Sequence, residues 1–235
     1  MEFPGPLIAG RLIRRYQRFL ADVRVGDEVV TAHCPNTGSM LGCAQPGSPV
    51  WLSVSHKPGR KHPLTWELVA AAGGTMVGIN TVRSNALVAE AIGGGLVPEF
   101  DGYDDLRHEV RYGRESSRID MLLIAADGRR CYVEVKNVTA AVADGIALFP
   151  DAVSARGTKH LRELMAMVGD GHRAVVCFCA QREDVREVRP ADAIDAEYGR
   201  TLRAAIAAGV EAIALRAQVT PHAIRLCERV PVVCP

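Results

Sequence analysis

The spacing of apolar and polar positions changes along this chain, and the change divides it. Between residues 28 and 80 the apolar positions come in short runs, 28–34, 50–56, 66–72 and 76–80. They are broken by Pro35-Asn36-Thr37-Gly38, Gln45-Pro46-Gly47 and Lys57-Pro58-Gly59-Arg60, all turn-forming clusters. Short strands at that spacing predict a small β barrel or sandwich. Residues 11–25 fit two periods: Arg11, Arg14, Arg15 and Arg18 line one face of a helix, while Leu12, Arg14, Tyr16, Arg18 and Leu20 alternate as a strand. We read a strand, because no clear cap precedes a helix and Pro4, Gly5 and Pro6 suit an entry into β structure.

After Asn80 the pattern alternates between helix and strand. Ser84 or Asn85 caps a helix over 86–92 that stops at Gly93-Gly94-Gly95. A strand is predicted over 108–113, then a hairpin, then a helix from Gly157-Thr158 with Leu161, Leu164, Met165 and Val168 at helical spacing. The apolar run over 174–179 reads as a strand covered on both faces. A helix over 198–208, ended by Gly209, and strands over 212–215 and 224–230 complete an α/β layer. Lys159 and His160 fall in the first turn of their helix, where basic side chains oppose the dipole unless an anion binds.

The hairpin carries the candidate chemistry. Residues 118–125 and 129–138 are joined through Ala126-Asp127-Gly128, a three-residue loop whose glycine supplies positive φ. In that register Asp120 faces Glu134, Arg118 faces Lys136, and the four share one side of the hairpin, with Cys131, Val133 and Val135 on the other. A two-residue Asp127-Gly128 turn instead puts Asp120 opposite Val135 and Glu134 on the other side. Two facing carboxylates repel unless a positive charge lies between them. A hard divalent cation on oxygen ligands answers that need, with Lys136 beside it to assist a water; a solvated face of ordinary ion pairs is the other reading.

Composition narrows the choice. The chain has 235 residues, 48% hydrophobic, enough for a sizeable core in one large or two small domains. A formal net charge of +1 excludes a global basic field, so attraction to nucleic acid has to be local. Residues 1–80 carry eight Lys+Arg against five Asp+Glu and are the basic part. Arg14, Tyr16 and Arg18 together suit a phosphate backbone with a stacked base. The seven cysteines are odd in number and lack CxxC pairs, which predicts reduced thiols without a zinc site, Cys177 and Cys179 being small buried hydrophobes. Without an apolar leader or any run of eighteen apolar residues, the expectation is a soluble cytoplasmic protein with no membrane partner.

Several separate motifs, in order, resemble the bacterial sugar fermentation stimulation protein family: His33-Cys34-Pro35-Asn36-Thr37-Gly38-Ser39-Met40, Val77-Gly78-Ile79-Asn80-Thr81, Arg118-Ile119-Asp120, Val133-Glu134-Val135-Lys136-Asn137-Val138-Thr139, Phe149-Pro150-Asp151-Ala152 and Arg156-Gly157-Thr158-Lys159-His160-Leu161. The resemblance spans nearly the whole chain. It implies an OB-fold-like nucleic-acid-binding domain over 1–80, then a domain similar to the PD-(D/E)XK nucleases over 81–235, in a DNA-binding protein linked to regulation of sugar-utilisation genes. Asp120, Glu134 and Lys136 match the two acids and the lysine of the nuclease motif, and Glu90 looks most like the helix glutamate some such nucleases carry. The implied cofactor is Mg²⁺ or Mn²⁺, held by Asp120, Glu134, the Val135 carbonyl and Glu90. Arg14, Tyr16, Arg18, Arg118, Arg156 and Lys159 are the candidate DNA contacts. Two functions fit: a metal-dependent phosphodiesterase, or a DNA-binding regulator without catalysis. A carbohydrate-binding barrel has less behind it, since only Trp51 and Trp66 offer large stacking surfaces.

Overall fold

Left-handed backbone at Gln17 and Arg18, with φ of 48° and 66°, turns residues 11–25 into a hairpin of two strands, β1 (Ile8–Tyr16) and β2 (Leu20–Val25). The computed structural model describes residues 1–55, 58–141 and 145–235. Strands β3 (Glu28–His33), β4 (Pro49–Val54), β5 (Leu64–Ala70) and β6 (Met76–Gly78) follow the predicted short runs. His56 and Lys57, which end one predicted run and begin its turn, lie outside the described residues. The strand order is β3-β2-β1-β4-β5-β6, and a β3–β5 pairing closes the first five into an OB-like barrel. Leu12, Val23, Leu52 and Trp66 fill it; Trp66 is fully buried and spends its indole N–H on the Leu68 carbonyl at 2.8 Å, so it is core and not a stacking surface.

Helix α1 (Ser84–Gly93) opens the α/β part, preceded by a short 3₁₀ turn that Asn80 caps through the Val82 N–H. Then come β7 (Asp105–Tyr112), β8 (Ser117–Ile124), β9 (Arg130–Val138), β10 (Ile146–Phe149), α2 (Ala155–Gly169), β11 (Arg173–Ala180), β12 (Glu187–Pro190), α3 (Ala196–Ala207), β13 (Glu211–Val219) and β14 (Ile224–Val230). The main sheet runs β14-β13-β11-β9-β8-β7, with β9, β11 and β13 parallel and the outer pairings antiparallel. Leu87 and Val88 of α1 share a core with Met121, Val133 and Cys177 on one face. On the other, Leu161 and Leu164 of α2 and Tyr198 and Leu202 of α3 share one with Leu122, Tyr132 and Phe178. Both faces of β11 are covered, as its unbroken apolar run predicts, and the seven cysteines are all free. Strands β10 and β12 were not expected; four residues each, they form a separate two-stranded parallel ribbon, with single bridges from Ala147 to Ala141 and from Val188 to Val232.

Barrel and layer are joined by polar contacts. The Gly78 N–H donates to the Gln181 carbonyl at 2.8 Å, and the Gln181 amide donates to Asn137 Oδ1 at 2.6 Å and to the Asn80 carbonyl at 3.1 Å. The loop after β3 binds through the Met40 N–H to Asp151 Oδ2 at 2.9 Å. A methyl group on Gly78 would lie 3.1 Å from Gln181 Cβ and 2.8 Å from Ile224 Cδ1. Gly78→Ala is therefore expected to force the junction apart and lower unfolding stability by roughly 1–3 kcal/mol. Chemical denaturation checks this, and an unchanged midpoint contradicts it.

Candidate functional site

The hairpin adopts the three-residue loop. Ile124 pairs with Arg130 and Met121 with Val133, and Gly128 takes a φ of 87°. Regular pairing stops at Met121, and Asp120 is where the sheet changes. Leu122 and Ile119, three residues apart, face the same core, whereas strict alternation would put them on opposite faces. On the β7 side His108 pairs with Met121 and Val110 with Ile119, and Glu109 between them is left-handed, with φ of 53°. Freed from the ladder, the Asp120 carboxylate accepts the Val135 N–H at 2.7 Å and the Asn85 side-chain amide at 2.9 Å.

Glu134 and Lys136 do not lie on a solvated face. They are 3% and 9% exposed, because α2 covers β9. Lys136 Nζ donates to Glu134 Oε1 at 2.7 Å, and His160 Nδ1 of α2 meets the same oxygen. Arg156, one turn earlier on α2, donates to His160 Nε2 at 3.3 Å, which leaves the ring proton on Nδ1 facing Glu134. Burial pushes the Glu134 carboxyl up, but Lys136 and His160 outweigh it and hold the group below the usual carboxylate range. Asp120 differs: burial and then the charge of Glu134 raise its pKa, and its hydrogen bonds to Val135 and Asn85 do not offset them. Glu134 Oε2 is buried without a hydrogen-bond partner.

These residues fit a hard cation. The donors are carboxylate oxygens, one of them orphaned, and the uncompensated charge is at Asp120. Among the described residues no three His, Cys, Asp or Glu side chains converge. Two carboxylates suit an ion such as Mg²⁺, which keeps waters and takes further ligands from substrate phosphates.

Other predicted site residues lie elsewhere. Glu90 sits five positions after Asn85, about 140° round the helix at ~100° per residue, and pairs with the Met1 amino group at 2.7 Å; Asn85, not Glu90, reaches Asp120. Arg14 and Tyr16 do share a face, with the guanidinium 4.8 Å from the ring centroid, but both bind Asp22. Arg18 is in the turn, off that face, and donates to the Thr37 carbonyl at 2.9 Å. Because α2 begins at Ala155, capped by Ser154, Lys159 is in its second turn, and its ammonium donates to the Glu115 carbonyl at 2.6 Å; no anion is needed to explain it. Arg118 is exposed near the β7–β8 turn. His160 was the residue sequence reasoning missed; its position four after Arg156 was the available signal.

The opposed pKa directions predict a pH effect in metal-free protein. An acid whose folded pKa is raised holds its proton longer when folded, so ionising Asp120 costs stability as pH rises above about 4. Glu134, held low, has the opposite sign: its contribution is present above the unfolded value and lost as pH falls. In chelator, Asp120→Asn should gain melting temperature relative to wild type as pH rises from about 4 to 7. A difference that stays flat across that range contradicts the assignment.

The family model described as the SfsA N-terminal OB domain matches residues 13–79, and that of the sugar fermentation stimulation protein RE domain matches residues 82–223. The sugar fermentation stimulation protein homolog of Thioalkalivibrio sulfidiphilus is 62% identical over 232 residues, covering 98% of this chain and 96% of that protein. Its counterpart in Geobacter metallireducens is 59% identical over 234 residues, covering 99% and 100%. The solved structure of Pyrococcus furiosus SfsA in complex with Ca²⁺ superposes with a TM-score of 0.88 at 28% identity, covering 99% of this chain and 98% of that one. With both halves matched and the fold shared from end to end, this chain belongs to the sugar fermentation stimulation protein (SfsA) family.

Proposed function

We propose that this protein binds DNA and carries a divalent-cation-dependent phosphodiesterase site built on Asp120, Glu134 and Lys136. The observation that carries the reading is the imbalance of the acid pair: Glu134 Oε1 meets Lys136 and His160 while its Oε2 is buried without a partner, and Asp120 meets only the Val135 N–H and the Asn85 amide among the described residues. The Ca²⁺ complex of the P. furiosus relative supports a hard cation, and we take Mg²⁺ or Mn²⁺ as the working ion. Once bound, such an ion supplies a Lewis acid that activates water near neutral pH and stabilises charge on the leaving oxygen.

The chain's own groups do the rest. Asp120 is fixed by the Val135 N–H and Asn85, so its carboxylate needs no reorganisation to serve as a ligand. Val135 is a candidate ligand through its carbonyl, next to the N–H that already holds Asp120. His160, with its tautomer set by Arg156, orients Glu134. Lys136 is a buried cationic donor beside the acids, placed to hold a water or a phosphoryl oxygen. The barrel and the exposed arginines of the hairpin support DNA as the substrate that brings those phosphates. The second reading, a DNA-binding regulator of sugar-utilisation genes without catalysis, is favoured by Glu90 lying away from the two acids.

Incubation with single- and double-stranded DNA in Mg²⁺ or Mn²⁺ separates them. Wild type should cleave; Asp120→Ala and Glu134→Gln should not. Lys136→Gln should lower the rate by roughly 10²–10⁴-fold, the range of a lost acid–base group. All three should keep DNA affinity. A wild type that binds DNA but cuts neither form overturns the enzyme and leaves the regulator.

A further inference from the structure

We propose that the outer end of the β7–β8 hairpin is a phosphate clamp, with Arg111 and Arg118 its two arms, for a phosphate of a nucleic-acid strand reaching the neighbouring acid pair; this rests on the DNA-binding reading above. Arg111 and Arg118 are direct cross-strand partners, so their Cβ atoms lie roughly 4.5–5.5 Å apart on one side of the sheet. Both are exposed. Like charges facing one another destabilise a strand pair. Elsewhere the chain avoids this arrangement or relieves it. Arg14 faces Asp22 and Arg216 faces Glu228, each as an ion pair, and Arg11, which faces Arg24, turns to the Gly47 carbonyl. Arg111 and Arg118 have no such partner among the described residues.

The two arginines open onto a cleft of about 650 Å³ lined also by Tyr112, Gly113 and Ser116, wide enough for a nucleotide unit of a strand. The next cross-strand pair, Tyr112 and Ser117, points to the opposite side of the sheet, into the core under α2.

One helix holds cleft and acids together. Glu163 of α2 is buried and accepts the Arg114 and Glu115 N–H groups at 2.9 and 2.6 Å, while Lys159 donates to the Glu115 carbonyl. The turn that carries the clamp is thereby pinned to α2. His160, on the same helix, contacts Glu134. A strand gripped by the arginines would therefore be presented to the acids at a fixed spacing, which is what positioning for in-line attack requires.

The test is the double substitution Arg111→Ala/Arg118→Ala, with DNA affinity measured by fluorescence anisotropy over a range of salt. The log–log slope should fall by roughly 0.9 if both arms grip one phosphate, or about 1.8 if they grip two. Repeating it with 5′-phosphorylated and 5′-hydroxyl oligonucleotides distinguishes the source: a preference for the phosphorylated end that the substitution abolishes means a terminal phosphate, and equal losses on both mean a backbone phosphate. A merely structural role is excluded by melting in phosphate-free buffer, where removing two facing cations should not lower the midpoint, and where added inorganic phosphate should raise that of wild type more than that of the variant. If wild type binds DNA and the double variant shows the same slope, the clamp alone is overturned. A wild type that binds no nucleic acid overturns the DNA reading and the clamp's ligand with it.

Discussion

Burying the Glu134 carboxylate in a strand covered on both faces is the constraint on which the site depends. An uncompensated charge there costs several kcal/mol, and the chain meets this with a lysine two residues along the strand and a histidine from α2. The histidine arrives only if α2 docks, and Arg156 fixes its tautomer only if α2 keeps its register. The same helix caps the β7–β8 turn through Glu163. Fold and candidate chemistry thus share one element: α2 completes the core and brings the buried acid its histidine, while Lys136 on β9 supplies the neutralising charge.

Asp120 shows the complementary case. Its strand leaves regular pairing where the carboxylate is needed, and the side chain takes a backbone N–H that a ladder carbonyl would otherwise take. The left-handed Glu109 alongside belongs to the same local departure. Such departures from regular sheet, in a sequence otherwise consistent with its fold, concentrate at functional positions. Between them the two acids make a site that is half neutralised by its own chain, and the remaining half suits a small hard cation and the phosphates that accompany it.

Local patterns told most of the fold. Short runs between turn clusters marked the barrel strands, Ala126-Asp127-Gly128 set the hairpin register, and the apolar run before Ala180 marked a strand covered on both sides. What sequence could not show was what covers the polar side of β9, because α2 begins seventeen residues after that strand ends. Hence Glu134 and Lys136 read equally well as solvated, and Arg156 and Lys159 as free cations when both are engaged within the fold. Strands β10 and β12 were invisible for another reason: four residues long, with Pro190 and two charged residues in β12, they carry no strand period. Motif residues outside the candidate site, among them Gly78, Asn80, Asn137 and Asp151, join barrel to layer.

Calorimetric titration of the metal-free protein with Mn²⁺, with Asp120→Ala and Glu134→Gln as references, shows whether the two acids hold a cation. Wild type should bind one divalent ion, with a rise in melting temperature, and either variant should lose both effects. A wild type that takes up no divalent ion, or a protein that binds it equally well without Asp120, would contradict a cation site held by both acids.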